Sequence, residues 1–324
     1  MVQPLITLIM PAYNAENWIE RAIQSVISQT YTNWELIIVN DGSTDNTKKI
    51  CESFAKKDRR IKLLNERNKG VCEAKNNALK FVNGDYFLII DSDDRLLSYA
   101  LEKFVSTAIN TNSDIVISGY IYNVDGKKTS RNVVQDYTFN PNQSFNSNEI
   151  VQLVESATIA PNWNKLLNKK FLINKFDSSI SINEDMIFSL NCIKNANKIS
   201  VLSDTLYEYI IQKNSLSRVF HAEFIDSLDK IFEIVIKDEN PDLMKIEIQK
   251  WILDQWFIFV KNLCLNRNYS IDDKIALLKK AINSNSFRYY GKLKNVDTTG
   301  RRIGLVLLKC KLYKIYLKFL NKRK

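Results

Sequence analysis

Three acids in four residues, Asp91-Ser92-Asp93-Asp94, follow directly on the apolar run Tyr86-Phe87-Leu88-Ile89-Ile90. Carboxylates are hard oxygen ligands suited to Mg2+ or Mn2+, and hence to a metal-bridged diphosphate. Alone, the run supports only a metal or the cap of a following helix. Two further polar clusters sit in equivalent places, Pro11-Ala12-Tyr13-Asn14 and Asn40-Asp41-Gly42-Ser43-Thr44-Asp45. A carboxylate after a buried strand comes within reach of a ribose hydroxyl. Asp41 could accept from a base N–H, and Tyr13 could lie against the ring face. Far downstream, Asn183 is suited to cap a helix whose first turn holds Glu184 and Asp185. Such acids can simply complement the helix dipole, or one can act as a general base.

The elements needed to bring these clusters together are legible. Leu5–Met10 reads as a strand, followed by a helix over 15–29 with Asn14 as its N-cap and Trp18, Ile19, Ala22, Ile23, Val26 and Ile27 on one face. Strands are expected at 34–39, 61–64 and 86–90, and helices at 46–54 and 72–81. This alternation predicts a mainly parallel sheet with helices on both faces, whose ligands lie beyond the carboxyl ends of the strands. Three polar strand ends converge on that rim. There is no G-x-G-x-x-G and no G-x-x-x-x-G-K-[ST], so phosphates must be held by other means.

Pro11-Ala12-Tyr13-Asn14-Ala15-Glu16, Val39 to Asp45, Asn68-Lys69-Gly70-Val71 with Ala74-Lys75-Asn76, and Ile90 to Asp94 form an ordered set. In order and spacing the set resembles the inverting glycosyltransferases of family two, with the GT-A fold, closely over the first third of the chain and loosely to about residue 220. The resemblance implies that Pro11, Tyr13 and Glu16 line a nucleotide pocket, that Asp41 contacts the base, and that Lys75 stands near a phosphate, where many relatives have Arg. It implies Asp91 toward the ribose, Asp93 on a Mn2+ or Mg2+ ion, and Asp94 in support. A Glu-Asp pair downstream of a segment like Trp163-Asn164-Lys165-Leu166 implies Asp185 as general base and Glu184 as its partner on the acceptor side. The stretch from Tyr207 to Ser217 resembles the strand and loop that close the site, and His221, the only histidine, stands where some relatives place a metal ligand.

Composition bounds the rest. One histidine leaves little for a multi-histidine metal site or a Ser-His hydrolase, and five scattered cysteines without a C-x-x-C pair read as reduced thiols. The net charge of +10 is a property of the tail: residues 301–324 carry nine basic side chains and no acidic one, leaving a net +1 before them. The basicity therefore does not point to nucleic acid. Within the tail, Lys311, Lys314, Lys318 and Lys322 share one side of a helix, with Leu312, Tyr313, Tyr316, Leu317, Phe319 and Leu320 opposite. That pattern suits an anionic membrane surface or a helix docked on its own domain. Lys309 points into the apolar arc, so the helix is expected to start or bend there. The start reads as a strand and not a signal peptide, and no apolar run approaches the ~18–20 residues of a spanning helix. A cytoplasmic protein, peripheral on the inner face of the membrane, is the expectation.

The expected organisation is thus a GT-A catalytic domain over 1–220, a helical region over 221–300 and a basic tail helix over 301–324. Aromatics in 243–265, among them Trp256, Phe257 and Phe259, read as helix packing, with an acceptor platform or a homo-oligomer interface as the other use. The expected activity is metal-dependent transfer from a UDP-sugar to a hydroxyl of a glycan or lipid-linked acceptor, as in capsule or surface-polysaccharide assembly. Gln-x-x-Arg-Trp is absent, which favours single addition over polymer extrusion. A sugar nucleotidyltransferase should carry a Gly-rich basic loop where Pro11–Asn14 stands, and a non-catalytic partner subunit could have lost the acids that are present here.

Overall fold

The computed structural model describes residues 3–141, 148–211, 220–236, 246–290 and 299–321. The chain divides into one unit of Met1–Ser179 with Glu184–Asn214, and a second of Ile180–Asn183 with Ser215–Lys324.

The first unit begins as the alternation predicts. Strand β1 (Ile6–Ala12) leads to helix α1 (Ile19–Ile27), β2 (Trp34–Asp41) to α2 (Thr47–Lys57), and β3 (Ile61–Glu66) to α3 (Val71–Leu79). Then come β4 (Tyr86–Ile89), β5 (Arg95–Leu96), α4 (Ala100–Thr111), β6 (Ile115–Val124), β7 (Lys127–Arg131), β8 (Tyr137–Phe139), α5 (Asn148–Glu155), β9 (Lys165–Asn168), α6 (Glu184–Lys194) and β10 (Ile199–Ile211). Every residue of β1 and β2 is buried, which is why these strands are predominantly apolar and do not alternate, with Thr7 and Glu35 as buried exceptions that bond to each other. The strand order is β3-β2-β1-β4-β9-β6-β10-β5, with β7 on β6 and β8 on β10. The ladders joining β3, β2, β1 and β4 are parallel, as is that of β6 with β10. Strand β9 runs antiparallel to both β4 and β6, so the sheet is mixed. The reversal carries Trp163-Asn164-Lys165 to the same end of the sheet as the acids, because β9 enters where β4 leaves.

Apolar faces of α1 and α4 close one side of the sheet, with Ile19, Ala22, Ile23, Val26, Leu101 and Phe104 packed against Leu8, Leu36 and Leu88. At ~25 cal/mol per Å2 of apolar area, this burial is the main term holding the layers together. Asn14 does not cap α1. It adopts a left-handed backbone (φ 48°), its side-chain oxygen accepts from Thr44 N (2.9 Å), and the helix starts four residues later than the cap would require, after an irregular turn.

The second unit is helical: α7 (Phe224–Ile236), α8 (Ile246–Leu265), α9 (Ile271–Asn283), α10 (Asn285–Tyr290), α11 (Thr299–Lys309) and α12 (Tyr313–Asn321). Trp256, Phe257 and Phe259 are buried, and the Trp256 indole N–H donates to Ala281 O (3.1 Å) while its ring stacks on Phe287. These aromatics pack helices together. Ser270 caps α9 in a reciprocal capping box with Asp273. The tail is a hairpin of two helices and not a single one. It turns at Cys310–Leu312, where Lys311 has φ 60°, just beyond the predicted break. Lys322, Arg323, Lys324 and the loop at 212–217 lie outside the described residues. No helix among the described residues is long and apolar enough to cross a membrane.

Candidate active site

The polar ends of β1, β2 and β4 meet at one rim because parallel strands share a direction. Their loops are latched to one another. Asn14 N donates to Ser43 Oγ (3.1 Å), Ala15 N to Thr47 Oγ1 (2.7 Å), and Asn46 N to Glu16 Oε2 (2.9 Å). Glu16 thus ties the first loop to the second. Asp41 is buried, and its two oxygens accept from Lys69 N (2.8 Å) and Gly70 N (2.9 Å), pinning the loop before α3. Each carboxylate oxygen still has a lone pair to offer. Gly42 is obligatory between these loops: its φ is 70°, and an added Cβ would lie 2.5 Å from Asn68 N. Pro11 is buried beneath the rim, while Tyr13 stands half out of it, 49% exposed.

The Asp91–Asp94 turn is built from three directions. Asp94 is fully buried; its oxygens accept from Tyr207 Oη (2.9 Å) and Ile210 N (2.7 Å), so it anchors the turn to β10. The same Tyr207 hydroxyl accepts from Asp91 N (3.1 Å), and its ring stacks on Trp163 at 4.3 Å. Arg21 of α1 donates to the Asp93 carbonyl. The backbone is thereby fixed while the Asp91 and Asp93 carboxylates stay half-buried, with no described hydrogen bond from another residue's side chain. Burial pushes both carboxyls up, and for Asp91 the neighbouring Asp185, Asp93 and Glu184 add to it against the pull of Lys75. Burial, then Asp93 and Asp91, likewise hold Asp94 far above the ordinary carboxylate range.

Opposite this turn, α6 presents Glu184 and Asp185 in its first turn. Lys75 of α3, 2% exposed, donates to Asp185 Oδ1 (2.6 Å) and lies 3.6 Å from Glu184 Oε1. Burial alone would depress this ammonium; Asp185, Asp91 and Glu184 outweigh it and raise its pKa. Lys75, expected beside a phosphate, is placed as the shared counter-ion of the acids. Its neighbour Asn76 exchanges two hydrogen bonds with the Phe176 backbone (2.9 and 2.8 Å), and the Phe176 ring lies under Lys75 and stacks on Phe188 of α6. The Ala74-Lys75-Asn76 motif thus sets both the charge and the angle of α6.

Four residues to which the sequence alone gave no individual role complete the site. Besides Tyr207 and Arg21, Asn162 donates to Asp185 Oδ1 (2.6 Å), while its own buried carbonyl oxygen has no partner. Lys165, fully buried, donates to the carbonyls of Thr158 (3.0 Å) and Pro161 and to Asn164 Oδ1 (2.9 Å), fixing the turn that carries Asn162. Burial drives its pKa down to about 7 against the pull of Asp185 and Cys192. The Trp163–Leu166 segment pointed to Lys165 and the stretch from Tyr207 to Ser217 to Tyr207, while Arg21 and Asn162 had no signal in the sequence. Asn183 has a left-handed backbone (φ 63°), and its side-chain amide donates to Ser227 Oγ (2.8 Å). His221 belongs to the second unit.

Among the described residues no cluster of three or more His, Cys, Asp or Glu side chains could hold a metal alone. Asp91 and Asp93, two carboxylates that feel the pull of Lys75 and Arg21 but form no described ion pair, fit a hard divalent ion that takes one or two protein oxygens and completes its shell with phosphate and water.

The profile of glycosyl transferase family 2 matches residues 7–174. WfgD of Escherichia coli, a UDP-Glc:alpha-D-GlcNAc-diphosphoundecaprenol beta-1,3-glucosyltransferase, is 31% identical over 73% of this chain and 88% of its own length. Glycosyltransferase GlyA of Streptococcus pneumoniae is 30% identical over 70% of this chain, but the match spans only 34% of that longer protein. The structure of S. aureus TarS 1–349 in complex with UDP-GlcNAc superposes with a TM-score of 0.75 over 98% of this chain and 91% of that one, at 22% identity, and so shares its fold. The rim of parallel strand ends, the acidic turn after β4 and the profile match over the same residues converge: this chain is a GT-A-fold glycosyltransferase belonging to glycosyl transferase family 2.

Proposed function

We propose that the protein transfers a sugar from a UDP-sugar to a hydroxyl of a glycan or lipid-linked acceptor, with inversion at the anomeric carbon and Asp185 as base. The observation that carries this reading is the hold on Asp185. Lys75 and Asn162 both donate to Oδ1, and no described hydrogen bond reaches Oδ2, so one oxygen is fixed and the other is presented. That is the geometry a general base needs: an oriented carboxylate with a free lone pair.

In the proposed step the acceptor oxygen forms its bond to the anomeric carbon as its proton passes to Asp185 Oδ2. The bond from that carbon to the diphosphate oxygen breaks on the opposite side, and the nucleoside diphosphate leaves with the electron pair. Asp93, with Asp91, would hold Mn2+ or Mg2+; such an ion offsets charge on the departing phosphate. Tyr13 would lie on the base, Asp41 would accept from it through a remaining lone pair, and Pro11 and Glu16 would shape that pocket. Glu184, which burial and Asp185 hold above its ordinary range against Lys75, can keep a proton and donate to an acceptor hydroxyl.

The named activity of WfgD and the UDP-GlcNAc bound by TarS support a UDP-sugar donor, and the diphosphoundecaprenol in the name of WfgD supports a lipid-linked acceptor. A panel of nucleotide sugars with and without Mn2+ tests the reading: release of UDP from one of them, dependent on the ion and on an acceptor, is the expected result. No turnover of any donor, or release of pyrophosphate from a nucleoside triphosphate and a sugar phosphate, would overturn it.

A further inference from the structure

The apolar side of the tail, Leu312, Tyr313, Tyr316, Leu317, Phe319 and Leu320, suits either a membrane or the chain's own domain. Three of these are not available to a membrane. Tyr313, Tyr316 and Leu317 are buried within the second unit, as are Leu305 and Leu308, where α12 packs on α8, α9 and α11. The closure is tight, since a Cβ added at Gly304 would lie 2.7 Å from the Tyr316 ring. The amphipathic face is satisfied internally.

A second apolar set remains on the outside of the hairpin. Ile303, Val306, Leu312 and Ile315 are between 42% and 53% exposed. The exposed basic residues of the hairpin, Arg302, Lys309, Lys311, Lys314 and Lys318, are interleaved with them. On α11, Arg302, Val306 and Lys309 fall on one face at helical spacing; on α12, Lys314, Ile315 and Lys318 do the same. No acidic residue occurs between 299 and 324.

We propose that this outer face of the α11–α12 hairpin docks on a bilayer containing anionic lipid, with the lysines at headgroup level and the four aliphatic side chains entering the acyl boundary. Charge complementarity fixes the partner's sign. The aliphatic residues select a lipid over a nucleic acid, because they gain from leaving water but have nothing to stack on or to donate to a base. The inference does not depend on the chemistry of Asp185.

The test is flotation of the full chain with vesicles of phosphatidylcholine, with and without phosphatidylglycerol, at low and high salt. The wild type is expected to float only with the anionic vesicles and to be partly released by salt. Lys311→Glu with Lys314→Glu should weaken binding on the order of tenfold or more, given roughly fivefold per lysine at such a surface. Val306→Ser with Ile315→Ser, which leaves the charge unchanged, should weaken it roughly tenfold. All these positions are exposed, and circular dichroism melts confirm folding, while release of UDP in solution reports the enzyme separately. The proposal is overturned if the anionic vesicles do not bind, if the serine variant binds as well as wild type, or if a single-stranded RNA oligonucleotide displaces the vesicles.

Discussion

The two ends of the same sheet treat buried carboxylates in opposite ways. At the amino end of β2, Glu35 accepts from Thr7 Oγ1 (2.7 Å), Asn83 N (3.0 Å) and Lys62 Nζ (2.9 Å). Burial pushes its pKa up, but these partners outweigh burial and bring it below the ordinary value. At the carboxyl end of β4, burial raises the pKa values of Asp91 and Asp93, and for Asp91 the neighbouring acids Asp185, Asp93 and Glu184 add to the rise against the pull of Lys75. One end spends its hydrogen bonds on holding the chain together. The other keeps charge unmet, which costs stability and leaves ligand capacity in reserve.

Asp185→Asn should separate the ends most sharply. It preserves the size and most of the hold on Oδ1 but removes the base, so kcat is expected to fall about 10^3- to 10^4-fold, with UDP affinity by calorimetry and the melting temperature little changed. Near-normal turnover would refute the assignment. Asp93→Asn is next: transfer should drop by about 10^2-fold or more and Mn2+ titration should weaken, yet the melting temperature should hold or rise because a repelled charge is gone. Glu35→Gln should do the converse, lowering stability by about 2 kcal/mol in urea titration through the hydrogen bonds it disturbs, with kcat per folded molecule intact. If both substitutions destabilise equally, the contrast between the ends is wrong.

Gly42→Ala should cost about 1–2 kcal/mol and raise KM for the donor more than it lowers kcat, since strain falls on the loop that Asp41 pins. The smallest effect concerns Lys165. Its pKa is about 7 when folded and 10.5 in the free side chain, so between pH 7 and 9 the unfolded chain binds the extra proton. Stability from this group therefore rises with pH across that window. The melting temperature of Lys165→Met should depend less steeply on pH there than that of the wild type; parallel profiles would contradict the buried, low-pKa ammonium.

What the sequence disclosed follows from the range of the interactions. Strands covered on both faces leave continuous apolar runs, and the polar residues at their ends mark the rim, so β1, β2, β4 and the Asp91–Asp94 turn could be read from spacing. Lys75 could not be placed that way. Its partner Asp185 lies 110 residues on, and a helical lysine looks the same whether it faces water or an acid. Asn162 acts through one hydrogen bond and the Tyr207 hydroxyl through two, and such contacts leave no periodic trace. The tail shows the limit from the other side. Its amphipathic pattern was visible, but an apolar stripe does not say what covers it, and here Tyr313, Tyr316 and Leu317 turn inward while Ile303 and Ile315 stay out.

The latched loops have one further consequence. Asn14 with Thr44, Glu16 with Asn46, and Asp41 with Lys69 and Gly70 remove backbone freedom from three loops before any nucleotide arrives. Ordering a loop residue costs on the order of 1–2 kcal/mol, and a rim assembled during folding does not lose that entropy a second time on binding. The donor meets loops already at rest.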